Sequence, residues 1–179
     1  MTAEELFLQE QLKVQNHSFT QELLNCESQI TAKRYATYLF NLHPQLNILE
    51  QLSIVNDVNE IRVAPNIWYD YKELWVTTNT PTETPVKLPI VDEYISSLMK
   101  LRNDRKSLRS HIYVRHMLDL NIAEICCVPG EKRLFTYPND TIDAIKSRYK
   151  NHEVSLYKVE MQKAFDIIIK QLDQMAELE

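Results

Sequence analysis

One glycine, Gly130, occurs in 179 residues. Sheets built from tight hairpins need residues at positive φ in their turns, and glycine takes that conformation without steric cost. A chain this poor in glycine is directed toward helices joined by loops that turn on proline, asparagine and aspartate. Its 44% apolar and 25% charged residues are those of a folded globular protein. The length supplies one sizeable core and is too short for two ordinary ones. The expected fold is all-α, with a single domain over residues 1–179.

Apolar spacing places the helices. Residues 3–24 carry Leu6, Leu12, Phe19, Leu23 and Leu24 at mixed three-, four- and seven-residue steps, with Glu4 and Glu5 at the favourable N-terminal end. A broader apolar face runs from Thr31 to Leu52 through Tyr35, Tyr38, Leu39, Leu42, Leu46 and Leu49, with Pro44 as the point for a kink or split. A third, bent helix is expected over Asp57–Trp75, carrying Ile61, Ala64, Ile67, Trp68, Tyr71 and Leu74 despite Pro65. The segment TTNTPTETPVKLP, residues 77–89, reads as an extended loop. Helices follow over Ile90–Leu101 and Leu108–Cys127, then the turn VPGEKR, a short helix over Ile142–Tyr149 and a long one over Val154–Met175. No internal repeat interrupts this series.

A net charge of -5 disfavours a sequence-independent grip on nucleic acid, which requires many phosphates to be neutralised. The N-terminal MTAEELFLQEQLK lacks a basic segment followed by an apolar one, and no stretch reaches the ~18 uncharged apolar residues of a membrane span. A cytoplasmic protein without membrane contact is expected. Cys26, Cys126 and Cys127 lack zinc-site spacing, and the adjacent pair offers no obvious disulfide geometry; they read as reduced core thiols. Nor is there a phosphate-cradling glycine loop, a nucleophile elbow or the paired Glu-x-x-His spacing of a di-metal bundle.

The stretch SHIYVRHMLDLNIAEICC, residues 110–127, carries more polar residues than a plain core helix needs. Four-residue spacing puts His111, Arg115 and Asp119 one turn apart, and Arg115 with Asp119 is placed to form an ion pair. That pair either fixes helix register or holds a water or polar ligand in an apolar cavity. His17 lies at the edge of the first apolar face, as an ordinary surface histidine or as a metal ligand. Lys146 and Lys150, one turn apart, form a solvated face or a seat for two carboxylates of an anionic ligand.

In order and spacing these segments resemble the heme oxygenase family over nearly the whole chain. LKVQNHSFTQELL resembles that family's first helix, RYATYLFNLHPQLNILEQL its second, and RVAPNIWYDYKELW the helix that carries a basic residue, an alanine and an aspartate, matched by Arg62, Ala64 and Asp70. LPIVDEYISSLMKL is similar to the helix before the distal one. His111, Tyr113, Arg115 and Asp119 match the distal helix, LFTYP the turn after it, and IKSRYK the helix of the propionate-binding residues.

The resemblance implies a heme oxygenase-like helical bundle with heme as both cofactor and substrate, cleaved to biliverdin, iron and CO with O2. Electrons would come from a reductase or ferredoxin. It implies His17 as the iron ligand, Asp119 supported by Arg115 as the holder of a catalytic water, and Lys146 and Lys150 as propionate anchors. Two departures stand against it. Leu118, Ile122 and Ala123 replace the family's distal glycines, adding heavy atoms where the cofactor would lie. Leu46 stands where the second helix should supply a tyrosine. The alternative implied is a non-catalytic, heme oxygenase-like binding or interaction protein with a closed pocket.

Overall fold

The computed structural model describes residues 1–55, 62–78, 82–123, 125–131 and 156–179, with Asp143 and Ser147 alone between the last two segments. Among them lie seven helices: α1 (Ala3–Asn16), α2 (Ser18–Leu24), α3 (Ala32–Val55), α4 (Ala64–Val76), α5 (Pro89–Lys100), α6 (Arg105–Ala123) and α7 (Lys158–Ala176). The all-α expectation holds. Apart from Asp143 and Ser147, the predicted helix over 142–149 lies outside the described residues, as does the LFTYP turn.

Two helices organise the bundle. α3 packs on α4, α5 and α6, while α7 packs on α1, α2, α5 and α6. The face predicted for α3 is the one buried, with Tyr35, Tyr38, Leu39, Leu42, Leu46, Leu49 and Leu52 all in the core. Pro44 sits inside α3 without ending it. Pro65 falls in the first turn of α4, where its missing N–H costs nothing, so it starts that helix instead of bending it.

The single helix expected over 3–24 is two. His17 leaves helical geometry at φ -65°, ψ 140°, ending α1 and capping α2. Within α1, Phe7 and Val14 are buried, whereas Leu12 is exposed. Upstream, Thr2 and Glu5 form a reciprocal capping box, each side chain taking the other's backbone N–H.

Long-range polar contacts fasten the loops. Asn41 of α3 donates to the Val86 carbonyl at 2.8 Å and accepts the Leu88 amide at 2.7 Å, pinning the segment before α5. Glu50 of α3 accepts the amides of Val63 and Ala64 at 2.6 and 2.9 Å, satisfying the start of α4 from another helix. Gly130, at φ 86°, takes the conformation that only glycine adopts freely, and a Cβ there would lie 3.2 Å from Leu74.

The cysteines differ from expectation. Cys26 and Cys127 form a disulfide joining the α2–α3 loop to the segment after α6, with Cα atoms 5.1 Å apart, and Cys126 is a buried thiol outside that bridge. Cys126 and Cys127 lie beyond the end of α6, so the chain's turn away from the helix aims Cys127 at the loop. The Cys127 amide donates to the Leu23 carbonyl at 2.7 Å, fixing that approach.

Candidate functional site

Two of the polar systems in the interior of the described residues are centred on α6. In the first, the Arg115 guanidinium donates twice to Asp119, from Nε to Oδ2 at 3.2 Å and from Nη2 to Oδ1 at 3.1 Å. The same Nη2 reaches the Tyr38 hydroxyl of α3 at 3.3 Å. Arg115 and Asp119 are 6% and 3% exposed, so the pair predicted from four-residue spacing is a core element and not a solvated face.

Burial pushes the Asp119 carboxyl above its ordinary range, with Arg115 pulling against that shift. Burial likewise opposes the charge on Arg115, but Asp119 and Tyr38 outweigh it and keep the guanidinium protonated. The α3 side chain that reaches this pair is Tyr38; Leu46 is a buried core leucine. Helix-face reasoning from α3 marked Tyr38 only as apolar, since its hydroxyl partner lies 77 positions away.

The second system runs through His111. Its Nδ1 is 2.8 Å from the Tyr94 hydroxyl of α5, and its Nε2 is 3.0 Å from Glu160 Oε2 of α7. Lys163 donates to the other Glu160 oxygen at 2.5 Å. Burial lowers the His111 pKa against the pull of Glu160. Glu160 itself resists burial and is held low by Lys163 and His111. A neutral His111 with Nε2–H toward the carboxylate and Nδ1 accepting from Tyr94 satisfies every partner. His111 therefore belongs to a different network from Arg115 and Asp119, although all three share a stripe of α6. Tyr94 and Glu160 carried no sequence signal for this role.

His17 is engaged on both ring nitrogens. Nδ1 accepts the Phe19 amide at 3.1 Å, and Nε2 meets Asp173 Oδ1 of α7 at 2.9 Å. Leu118 and Ile122 are 2% and 6% exposed and belong to the central core. Lys146 and Lys150 lie outside the described residues. Thus the imidazole atoms that would face an iron are taken by the protein's own groups, and the leucine and isoleucine occupy packed interior. As they stand, these residues do not fit a porphyrin.

Beside Arg115, His116 is buried with no hydrogen-bond partner for Nδ1 among the described residues, and burial followed by the Arg115 charge lowers its pKa to about 4. No group of three His, Cys, Asp or Glu side chains among the described residues is arranged to hold a metal. No described helix is long and apolar enough to cross a membrane.

Two cavities lie away from the Arg115–Asp119 pair. One, of about 450 Å³, lies over the His111 chain between α5 and α7. The other, of about 520 Å³, lies between the start of α3, the segment before α5 and the end of α7. Compared with known proteins, the chain matches no protein-family model and no curated protein sequence.

Proposed function

We propose that this chain is a non-catalytic, heme oxygenase-like binding protein: a helical bundle that keeps a buried ionic core and uses it to set helix register instead of to oxidise a porphyrin. The observation that carries this reading is His17, whose two ring nitrogens cap α2 and tie to Asp173. Leu118 and Ile122 support it, because a core packed to crystal-like density has no room for a planar macrocycle beside them.

Hemin titration followed at the Soret band tests the reading. The native chain should give no saturable histidine-type spectrum, and the Leu118→Gly/Ile122→Gly variant should bind hemin more than the native chain does. A saturable spectrum in the native chain that disappears in His17→Ala overturns the proposal.

One observation favours the catalytic alternative, a heme oxygenase that takes electrons from a reductase or ferredoxin. Arg115, Asp119 and the Tyr38 hydroxyl form a connected polar set of the kind that reading requires. Biliverdin formed with a reductase by the native chain, and lost in Asp119→Ala, would select it.

The cytoplasmic setting goes with either reading and makes the Cys26–Cys127 bridge one that cellular thiols would tend to open. Counting free thiols in protein taken directly from cells decides that setting: one thiol per chain speaks for an oxidising compartment, three for the cytoplasm.

A further inference from the structure

We propose that the Cys26–Cys127 bridge is a reversible thiol-exchange site: a small thiol of the glutathione class attacks Cys26, and Cys127 is the resolving thiol that closes the bridge again. The site governs the loop Asn25–Gln29, and it stands whether or not the chain binds hemin.

Access selects Cys26. Exchange begins when a thiolate attacks one sulfur of a disulfide, so the sulfur that solvent reaches is the one that reacts. Cys26 is exposed, as is every residue from Asn25 to Gln29, whereas Cys127 is half-buried. Cys126, 7% exposed, belongs to the central core. The incoming thiolate therefore bonds to the Cys26 sulfur, the Cys26–Cys127 bond breaks, and its electron pair leaves on Cys127, which takes a proton from water. A second small thiolate then attacks the sulfur bound to Cys26 and releases the Cys26 thiol with a small disulfide. Two small thiols are oxidised and the bridge is reduced.

The attachments of the loop define what the bond controls. Its hydrogen bonds are internal, with Asn25 Oδ1 accepting the Glu27 and Ser28 amides at 3.0 and 2.9 Å. Among the described residues, the bridge is its one covalent or hydrogen-bonded tie to a distant segment. Opening the bridge thus releases Asn25–Gln29 while α2 keeps its packing on α1 and α7. An exposed segment with so few attachments exchanges with solvent as a local unit instead of with the whole fold.

Cys127 is placed to reverse the reaction. Its amide donates to the Leu23 carbonyl at 2.7 Å, its neighbour Val128 is buried, and Gly130 lies against Leu74. None of these contacts needs the bond. Cys26 follows Leu23 closely in sequence, so the released Cys127 thiol faces it across a short tether, at the high effective concentration such tethers give. Cys126 competes poorly, because a bond between adjacent cysteines requires a distorted peptide. A mixed disulfide on Cys26 is therefore attacked by Cys127, which expels the small thiol and restores the bridge.

The test treats the full bridged chain with glutathione under native conditions, pulses with N-ethylmaleimide, and maps both adducts by peptide mass. Glutathione should appear on Cys26 and N-ethylmaleimide on Cys127, with Cys126 unlabelled until denaturant is added. Oxidised glutathione given to the reduced chain should restore the bridge in the native sequence. In Cys127→Ser it should instead leave a persistent adduct on Cys26, while Cys126→Ser should behave as the native chain does. Amide exchange after reduction should rise at Glu27 and Ser28 and stay slow from Phe165 to Leu172. Glutathione on Cys127 instead of Cys26, labelling of Cys126 together with Cys127, no reaction without denaturant, or an equal rise in exchange across α7 each overturns the proposal.

Discussion

His17 and Asp173 stand 156 positions apart in the chain, and their side chains meet at 2.9 Å. One imidazole thereby ends α1, begins α2 and ties both to α7. His17→Ala should lower unfolding free energy by about 1–2 kcal/mol, chiefly through loss of the cap. His17→Asn, which keeps a capping acceptor, should recover part of that loss in urea denaturation. If His17→Ala is as stable as the native chain, the cap contributes nothing and the imidazole is free for another partner.

The Arg115–Asp119 pair should behave as a unit. Asp119→Leu leaves a guanidinium buried beside Tyr38 and should cost about 3–5 kcal/mol, with a comparable cost for Arg115→Leu. The double variant should lose much less than the two single losses together. Additive losses in a double-mutant cycle would show that the pair is not coupled.

Acid should weaken the fold through His116. Its ordinary pKa of 6.5 drops to about 4 in the bundle, so the unfolded chain takes up this proton first as pH falls. The associated stability is therefore fully present above about pH 6.5, declines below it, and stops declining near pH 4. The total is on the order of 3 kcal/mol. His111, also lowered, acts in the same sense, while Asp119 and Glu50, both raised by burial, act in the opposite sense at acid pH. The difference between the native chain and His116→Met across this range isolates the His116 part; parallel stability curves would refute it.

Reduction should destabilise the bundle. The Cys26–Cys127 bridge spans a sequence separation of 101, and in the chain-entropy model closing a loop of that length is worth about 4–5 kcal/mol. A thermal melt with reductant should show a fall in midpoint that Cys127→Ser reproduces without reductant. Identical midpoints with and without reductant, with the bridge confirmed by mass, would refute this.

Helix type and much of the core were legible because they depend on short-range periodicity. The buried face of α3 follows directly from its three- and four-residue steps, and the Arg115–Asp119 pair from a spacing of four. What was not legible depends on partners distant in sequence. His17 as a cap lacks the usual Ser, Thr, Asp or Asn signature. Tyr38, Tyr94 and Glu160 became site residues only when packing brought them to α6. The cysteines misled for the same reason: an adjacent pair has no disulfide geometry with itself, and the geometry that matters is with Cys26.

α7 is the last of the seven helices to leave a ribosome, and it is the one on which α1, α2, α5 and α6 all rest. Until it emerges, Phe7 lacks Phe165, its ring neighbour at 5.5 Å, and His111 lacks Glu160. The nascent chain thus carries unburied apolar surface until α7 is made, the condition in which growing chains are captured by chaperones or by one another. A premature stop ahead of Lys158 would leave α3 its contacts with α4, α5 and α6 but deprive α1, α2, α5 and α6 of the helix they share.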